Sequence, residues 1–551
     1  MLRTERFLKS CWILLLIAVP GFAETPKNIA VAAHADFQIS GTLVDGNTGQ
    51  PIPRARVAIA PVTQRDAFTT VITHQDGQFF FSNLTPGKYT LTAQARGYLF
   101  QSFNQHDGYS SSIVVGPDLD SSNLVFRLYP EGSISGVVAD EAGEPVRGAM
   151  VHLYSTGLAL GAQATRSRAG ATTNDEGFYH FGHLSPGRYL VAVTARPWYA
   201  QNQPTRREPP SGGSGIQVEQ ASSPLDVAYP ITFFPSVVEA SAASPIVLGR
   251  GEKFAADIRL QPVAALHIHI PKETSDPERG SRINLQKQVL DGPPLVVNFL
   301  SYNMQQNEVE ISGVAPGHYT MRTLSVGGGS VNDASPAREV DISGNGGIDD
   351  RQDTSYVPVS ARLQFEGGVP RGQITLQLLD KKSRQAFSER AGDDGEVRFK
   401  QGLLPGSYEV SLFTNSGMYI KNISAMGANI TGRTVEIRGG ADVRLEITAA
   451  TGQGQVTGTA LRQGKPFAGA MIVLVPADPG HNQVLFRRDQ SDSDGTFTLA
   501  NVVPGTYTLL ALENGWDLEW LKPSVLRPYV AAGAPVQVEV NGKYNIKVPV
   551  Q

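Results

Sequence analysis

Two pairs of closely spaced histidines come nearest to the spacing of a metal site. His267 and His269 alternate in "LHIHIP", and His180 and His183 lie in "YHFGHL". Alternate residues of a strand project from one face, so the first pair could hold a metal. Zinc needs three or four converging ligands, however, and no carboxylate or third histidine accompanies that pair locally. The second pair is judged in the same way, with His180 expected to face solvent, and we predict no metal site.

The motifs of common hydrolases and nucleotide-binding proteins are absent. No histidine is followed by glutamate three residues later, and there is no His-Glu-x-x-His, Gly-x-Ser-x-Gly or phosphate-binding glycine loop. The single cysteine, Cys11, lies in an apolar segment near the N-terminus, which excludes thiol catalysis in the rest of the chain. We predict a protein that is not an enzyme and holds no cofactor. A hydrolase that gathers His and Asp residues from different domains stays open as an alternative.

Two acidic segments could supply oxygen ligands to calcium. They are "DQSDSDGTF", residues 489–497, and "DISGNGGIDDRQD", residues 341–353. Neither has the spacing of an EF-hand loop with its distal glutamate. We predict that the first forms an Asp-Gly turn and that the second is a solvated loop.

Aromatic residues form the third candidate group. Trp198 lies in "RPWYAQNQP", and Trp516 and Trp520 lie in "ENGWDLEWLKP". Both segments follow the same repeated strand, and "RGYLFQSFNQHDGY" occupies that place in the first copy. Aromatic rings beside polar groups suit a sugar-binding surface, whereas the alternative is that they cap a core or pack at a domain junction. The predicted ligand-binding residues are Trp198, Tyr199, Trp516, Trp520, Tyr98 and Phe100.

The repeated strand occurs five times. Its copies read "LTPGKYTLTA", "LSPGRYLVAV", "VAPGHYTMRT", "LLPGSYEVSL" and "VVPGTYTLLA", at intervals of 100, 130, 89 and 99 residues. This spacing fits β-sandwich domains better than a solenoid. An acidic-Gly turn and a short alternating strand precede the motif, as in "DGQFFFSNLTPGKY", and the third copy has Gln306-Asn307 in place of the acidic-Gly pair. Other repeated segments precede and follow this part of each unit, and together they give each unit about seven strands.

The Pro-Gly-x-Tyr motif predicts a turn followed by a strand. Proline fixes φ at about −65° and glycine accepts positive φ, which together favour a type II turn. Because side chains alternate between the two faces of the strand, the tyrosine is expected to face the core. Its hydroxyl can then form a hydrogen bond with a nearby backbone group, as in the tyrosine corner of sandwich domains. We therefore assign a structural role to the five tyrosines, which are Tyr89, Tyr189, Tyr319, Tyr408 and Tyr507.

The assembled unit, "ISGxVxD…GxPxxxAxVxL…DGxFxFxxLxPGxYxLxAxAxGY", resembles the carboxypeptidase regulatory-like domain. The match is close in the first, second and fifth units, partial in the fourth and weak in the third. The resemblance implies an all-β fold, a tandem array of about five seven-stranded Ig-like or transthyretin-like β-sandwiches of the carbohydrate-binding-like kind. It also implies a non-catalytic accessory role, since in metallocarboxypeptidases this module lies beside the peptidase.

The N-terminus predicts export. "MLRTERFLKSCWILLLIAVPGFAETP" has a basic start, a short apolar run and a small-residue end, which indicates a secretory signal peptide over 1–23. No second long apolar segment follows, so we expect no transmembrane segment. The predicted β-sandwich domains span 36–129, 130–261 with a long exposed loop "RPWYAQNQPTRREPPSGGSGIQVEQ", 262–357, which has diverged, 358–449 and 450–551.

These observations predict an exported, non-catalytic binding protein of the periplasm or the cell exterior. The expected partner is a polysaccharide or an envelope protein. Nucleic acid is not expected, because the net charge is -4 and no basic patch stands out. The competing hypothesis is a rigid spacer for adhesion or scaffolding that binds no small ligand. The sequence leaves the oligomeric state open.

Overall fold

The computed structural model describes residues 37–159, 161–201, 217–220, 223–271, 280–297, 301–304, 308–327, 330–334, 338–343, 346–347, 356–368, 372–400 and 402–551. The predicted signal peptide, the pair Gln306-Asn307 and most of the acidic segment 341–353 lie outside these residues. Strands dominate the described part of the chain, which confirms the predicted all-β class.

The first and second units are each built from two sheets. The strands of the first unit are Phe37–Asp45, Arg56–Pro61, Thr69–Ile72, Gln78–Leu84, Gly87–Gln94, Gln101–Ser102, Ile113–Val115 and Leu124–Leu128. Those of the second are Gly132–Ala139, Met150–Ala159, Ala162–Thr172, Phe178–Leu184, Gly187–Thr194, Thr232–Phe233, Ile246–Leu248, Lys253–Ala255 and Ile258–Arg259, with a 3-10 turn at Ala240–Ala242.

The remaining units also consist of paired sheets. The third has Gln217–Gln220, Leu266–Pro271, Gly280–Lys287, Leu295–Val296, Ser301–Met304, Glu308–Val314, Gly317–Gly327, Ser330–Ala334, Arg338–Ile342 and Gly346–Gly347, and a two-stranded ribbon of Val227–Ala228 and Val263–Ala264 lies beside it. The fourth has Val359–Phe365, Ile374–Asp380, Ala386–Arg390, Glu396–Arg398, Gly406–Thr414, Tyr419–Met426, Ala428–Thr431, Thr434–Ile437 and Val443–Ala450. The fifth has Gly454–Arg462, Lys465–Pro466, Met471–Pro476, Arg487–Gln490, Thr496–Val502, Gly505–Leu512, Ala534–Val538 and Lys543–Pro549, 3-10 turns at Gln483–Leu485 and Gly515–Asp517, and the helix Pro523–Val530.

Each pair of sheets encloses its own cluster of buried apolar side chains. Alternation along the strands produces these cores, as in Phe37–Asp45, where every second residue from Ile39 is buried. In four units the first strand also pairs in parallel with the last one. The two ends of each of these units therefore meet in one sheet.

The repeated glycine of "ISGT", "ISGV" and "VTGT" permits this parallel pairing. A Cβ atom at Gly41 would lie 2.2 Å from the carbonyl oxygen of Leu124, and one at Gly458 would lie 1.9 Å from that of Ile546. Real Cβ atoms do not approach backbone oxygens so closely. Glycine is therefore required at this position of the first, second and fifth units, whereas the fourth unit forms the same parallel pairing with Ala361 there.

The third unit completes its sheet differently. Gln217–Gln220 pairs antiparallel with its first strand, Leu266–Pro271, and Val218 is buried in its core. The expectation that 196–220 is an exposed loop is therefore wrong at its C-terminal end, because the apolar Val218 can be buried by pairing. The range 130–261 predicted for the second unit thus contributes a strand to the third.

The Pro-Gly turn differs from the predicted type II turn. Gly87 and Gly317 have φ of 157° and 155°, and each begins a strand in nearly extended backbone. The left-handed conformation is found three residues before the proline instead, for example at Asn83 (φ 58°) and Asn501 (φ 55°), where the strand register shifts. A β-bulge therefore makes the bend, since an Asn accepts the left-handed conformation there.

The five tyrosine corners are confirmed. Each hydroxyl donates a hydrogen bond to the carbonyl oxygen four residues earlier, at distances of 2.6 to 2.9 Å. All five rings are buried. The motif therefore serves the scaffold, as its alternation indicates.

Candidate functional site

Trp520 packs the second unit against the fifth. Its side chain is 6% exposed, with Phe486 at 5.3 Å and the guanidinium carbon of Arg488 at 4.4 Å from its ring. The chain of the second unit passes directly beneath it, because a Cβ atom at Gly161 would lie 2.3 Å from the indole. The N–H of Leu521 also donates to the carbonyl of Gly161 at 3.1 Å. The ring of Trp520 is thus enclosed between units.

Trp516 lies between the first and fifth units. Its ring stacks on His106, with centroids 5.1 Å apart and planes within 8°, and Tyr109 lies at 5.8 Å. Its Nε1 donates to the carbonyl of Gly469 at 3.4 Å. Both predicted tryptophans of the fifth unit therefore lie at junctions between units. This is the alternative to a sugar-binding surface that the sequence left open.

The acidic segment of the fifth unit docks the first unit. Asp492 accepts hydrogen bonds from Lys88 Nζ at 2.5 Å and from the N–H of Ser112 at 2.8 Å. Ser493 donates its N–H to the carbonyl of Ser112 at 3.0 Å and accepts from the N–H of Val114 through its hydroxyl at 2.8 Å. We call this interface, together with the stack on Trp516, the first–fifth contact.

A buried polar group continues the first–fifth contact. The side-chain amide of Gln490 donates to the carbonyl of Asn104 at 2.6 Å and to Ser111 Oγ at 2.9 Å. Ser111 in turn donates to the carbonyl of Ser491 at 2.8 Å. Ser111 and Gln490 are each 1% exposed. Water would satisfy these groups if the two units separated, so each hydrogen bond contributes about 0.5–1.5 kcal/mol to docking. A change that removes one partner while the units stay docked would leave the other buried and unpaired.

Asp489, beside this interface, has its pKa raised to about 6, because burial disfavours its charge more than the N–H groups of Thr498 and Gln490 favour it. Since the folded pKa exceeds the ordinary 3.8, the folded state binds the proton more tightly. The stabilisation is greatest below pH 3.8 and is lost as the pH rises through about 6. We expect the fifth unit of the wild type to lose on the order of 2 kcal/mol between about pH 4 and pH 7.

Urea unfolding followed by hydrogen exchange in the strand Arg487–Gln490 would check this pH dependence. An Asp489→Asn variant should lose it, whereas Asp66→Asn, at an exposed site in the first unit, should keep it. Equal pH dependence of Asp489→Asn and wild type would contradict the assignment.

The other predicted aromatic residues lie at the ends of the first and second units. Trp198 is 87% exposed and meets Tyr199 edge-on at 5.7 Å. The hydroxyls of Tyr199 and Tyr229 both donate to the carboxylate of Glu141. Burial opposes ionisation of Glu141, but these hydrogen bonds outweigh it and lower its pKa. The hydrogen bond to Glu141 therefore holds Tyr199 in place, and the adjacent Trp198 extends into solvent.

Tyr98 and Phe100 follow the repeated strand of the first unit. Tyr98 donates its hydroxyl to Asp45 Oδ2 at 2.8 Å, and Phe100 is 59% exposed. Both line an open cleft of about 820 Å³ at the junction of the first and second units. The structure thus divides the six predicted residues among four places instead of gathering them into one site.

His267 has carboxylate neighbours that its local sequence does not show. Its Nε2 lies 2.6 Å from Asp226 Oδ2, and its Nδ1 lies 3.0 Å from Glu310 Oε1 and from Ser312 Oγ. His267 and Glu310 are fully buried. Glu310 alternates with apolar residues in "EVEISGV", and this alternation predicts that its side chain faces solvent. The spacing of the residues therefore does not indicate that Glu310 lies beside His267. Among the described residues, no group of three His, Cys, Asp or Glu side chains is arranged to hold a metal ion.

Residues 38–125 and 133–227 match the model of the carboxypeptidase regulatory-like domain. The resemblance predicted from the repeated motif is confirmed for these two regions. No curated protein matches the chain. In the described part of the chain, no helix has the length and apolar character needed to cross a membrane.

Solved structures provide weak likenesses. The TIE protein of Bacillus anthracis is 10% identical over 94% of this chain and 75% of its own, with a TM-score of 0.17. The minor pilin of Streptococcus agalactiae is 14% identical, with 43% and 99% covered and a TM-score of 0.21. The shaft pilin SpaA of Lactobacillus rhamnosus GG is 11% identical, with 42% and 98% covered and a TM-score of 0.19. At such TM-scores these likenesses carry no argument about function.

Proposed function

We propose that the chain is an exported, non-catalytic binding protein of the cell envelope that takes a carbohydrate or protein partner. The observation that carries this proposal is the exposure of Trp198 (87%) and Phe100 (59%). Both lie in segments that follow the repeated strand, at the ends of rigid sandwiches. Large aromatic side chains displayed in this way cost solvation free energy and serve as anchors in binding surfaces.

The first–fifth contact favours binding over the spacer hypothesis. A linear spacer keeps its terminal units apart, whereas here the first unit packs on the fifth through a buried polar interface.

The hydrolase alternative is also disfavoured at the His267 cluster, because His267 is fully buried and no substrate atom can reach it without opening the core.

Replacing both exposed aromatic residues, as Trp198→Ala with Phe100→Ala, should weaken ligand binding about tenfold or more, because each change removes an aromatic anchor. A glycan array, with a pull-down from envelope extract alongside it, would identify the ligand, and titration would then measure its affinity. Phe413→Ala, the control for the change at Phe100, removes the same ring from a site that is 54% exposed in the fourth unit, and it should leave binding unchanged. Empty results in both assays, or full affinity in the double variant, would contradict the proposal.

A further inference from the structure

The cleft between the first and second units has a rigid floor. Arg56 lies opposite Ile72 on one neighbouring strand and opposite Gln94 on the other, so three adjacent strands hold these side chains in one row. Arg56 also donates to Gln94 Oε1 at 2.8 Å. The second unit closes the far side with Glu131 and His183, which are hydrogen-bonded to each other. The cleft is therefore built from fixed elements of both units.

The charge of this cleft differs from that of the whole chain. Arg54, Arg56 and Arg96 line it, and all three side chains are exposed. None of them forms an ion pair with any residue in the described part of the chain. Glu131 is the one carboxylate among the residues that line the cleft, so three guanidinium groups leave the lining with net positive charge. The chain as a whole has a net charge of -4, so the cleft has the opposite sign.

We propose that this cleft binds an acidic polysaccharide through its sugar carboxylates. This rests on the proposed binding function and names the ligand class. Each arginine offers five N–H donors and no acceptor, and its planar fork fits a carboxylate with two parallel hydrogen bonds. A ligand held here must therefore supply acceptors and negative charge.

The apolar part of the cleft favours a sugar over an acidic peptide. Phe100, with its ring 59% exposed, and Tyr98, with its hydroxyl already used by Asp45, offer apolar ring surface beside the arginines. Sugar rings present C–H faces that pack on such rings while their carboxylates reach outward.

Binding of the full mature chain to polygalacturonate, dextran and poly-L-glutamate, measured by isothermal titration at moderate salt, tests the proposal. Polygalacturonate should bind, and the Arg56→Gln, Arg96→Gln double variant should lose about tenfold or more in affinity. The matched control, Arg390→Gln with Arg398→Gln, removes the same charge from exposed sites of the fourth unit and should change affinity less than about twofold. Circular dichroism would show that both variants fold, as expected for exposed positions.

Four results would overturn the inference. Equal binding of poly-L-glutamate would point to an acidic peptide or to unspecific attraction. Equal loss in the two double variants would assign the binding to net charge. If dextran binds and neither variant affects its binding, the proposed function stands but the ligand is not acidic. If the chain binds no glycan and no envelope protein, both the proposed function and the acidic ligand are contradicted.

Discussion

A Ser112→Cys, Ser493→Cys double variant should form an intramolecular disulfide in nearly every molecule under mild oxidation. The N–H of Ser493 donates to the carbonyl of Ser112 at 3.0 Å, so the two backbones are adjacent, and a disulfide needs Cα atoms within about 7 Å of each other. Cys11 is the only cysteine of the sequence, and removal of the predicted signal peptide would leave the engineered pair alone. Non-reducing electrophoresis and mass spectrometry of the linked peptide would detect the crosslink.

Two controls separate stable docking from random collision. Ser112→Cys combined with Ser388→Cys, which lies in the strand Ala386–Arg390 of the fourth unit, should not crosslink. Adding Asp492→Ala to the productive pair removes the acceptor of Lys88 and of Ser112, and truncation of a buried charged partner costs about 2–5 kcal/mol. Crosslinking should therefore slow at least about tenfold. A productive pair that stays reduced, with X-ray scattering of an extended chain, would show that the terminal units separate in solution.

The repeated motif predicts the interior of each unit well because its information is local. Alternation decides which side chains are buried, and the tyrosine corner joins a residue to the carbonyl four positions earlier. The same reasoning fails at the Pro-Gly pair, where residue preference alone favours a type II turn. The structure puts the left-handed conformation on residues such as Asn83 instead, because a bulge in the preceding strand already supplies the bend.

Contacts between units leave no comparable trace in the sequence. Lys88 and Asp492 are 404 residues apart, and each reads as an exposed charge in its own unit. The segment around Asp492 predicts an Asp-Gly turn, and it forms one, with Gly495 at φ 77°, but its docking role depends on a surface in another unit. For the same reason the aromatic segments do not show by themselves which rings are exposed and which pack at a junction. Only the fold shows that Trp198 is exposed while Trp520 is enclosed.

Replacing His267 with alanine should destabilise the third unit by about 3–5 kcal/mol, because the change removes the partner that Asp226 and Glu310 share inside the core. His267 and Glu310 are fully buried and Asp226 is 6% exposed, so water cannot easily take the place of the imidazole. Unfolding of a multi-unit chain is not two-state, and a local probe is needed. Hydrogen exchange in the strands Leu266–Pro271 and Glu308–Val314 would report the loss.

His180 provides the matched control for this change. It is exposed on the strand Phe178–Leu184 of the second unit, and His180→Ala should alter stability by less than about 0.5 kcal/mol. A second variant, His267→Ala with Glu310→Gln, replaces one buried carboxyl group together with the histidine and should recover part of the loss, since a buried carboxylate that has lost the imidazole costs more than a neutral amide. Unchanged exchange in His267→Ala would show that the carboxylates are held without the histidine. The cluster would then not contribute to the stability of the third unit.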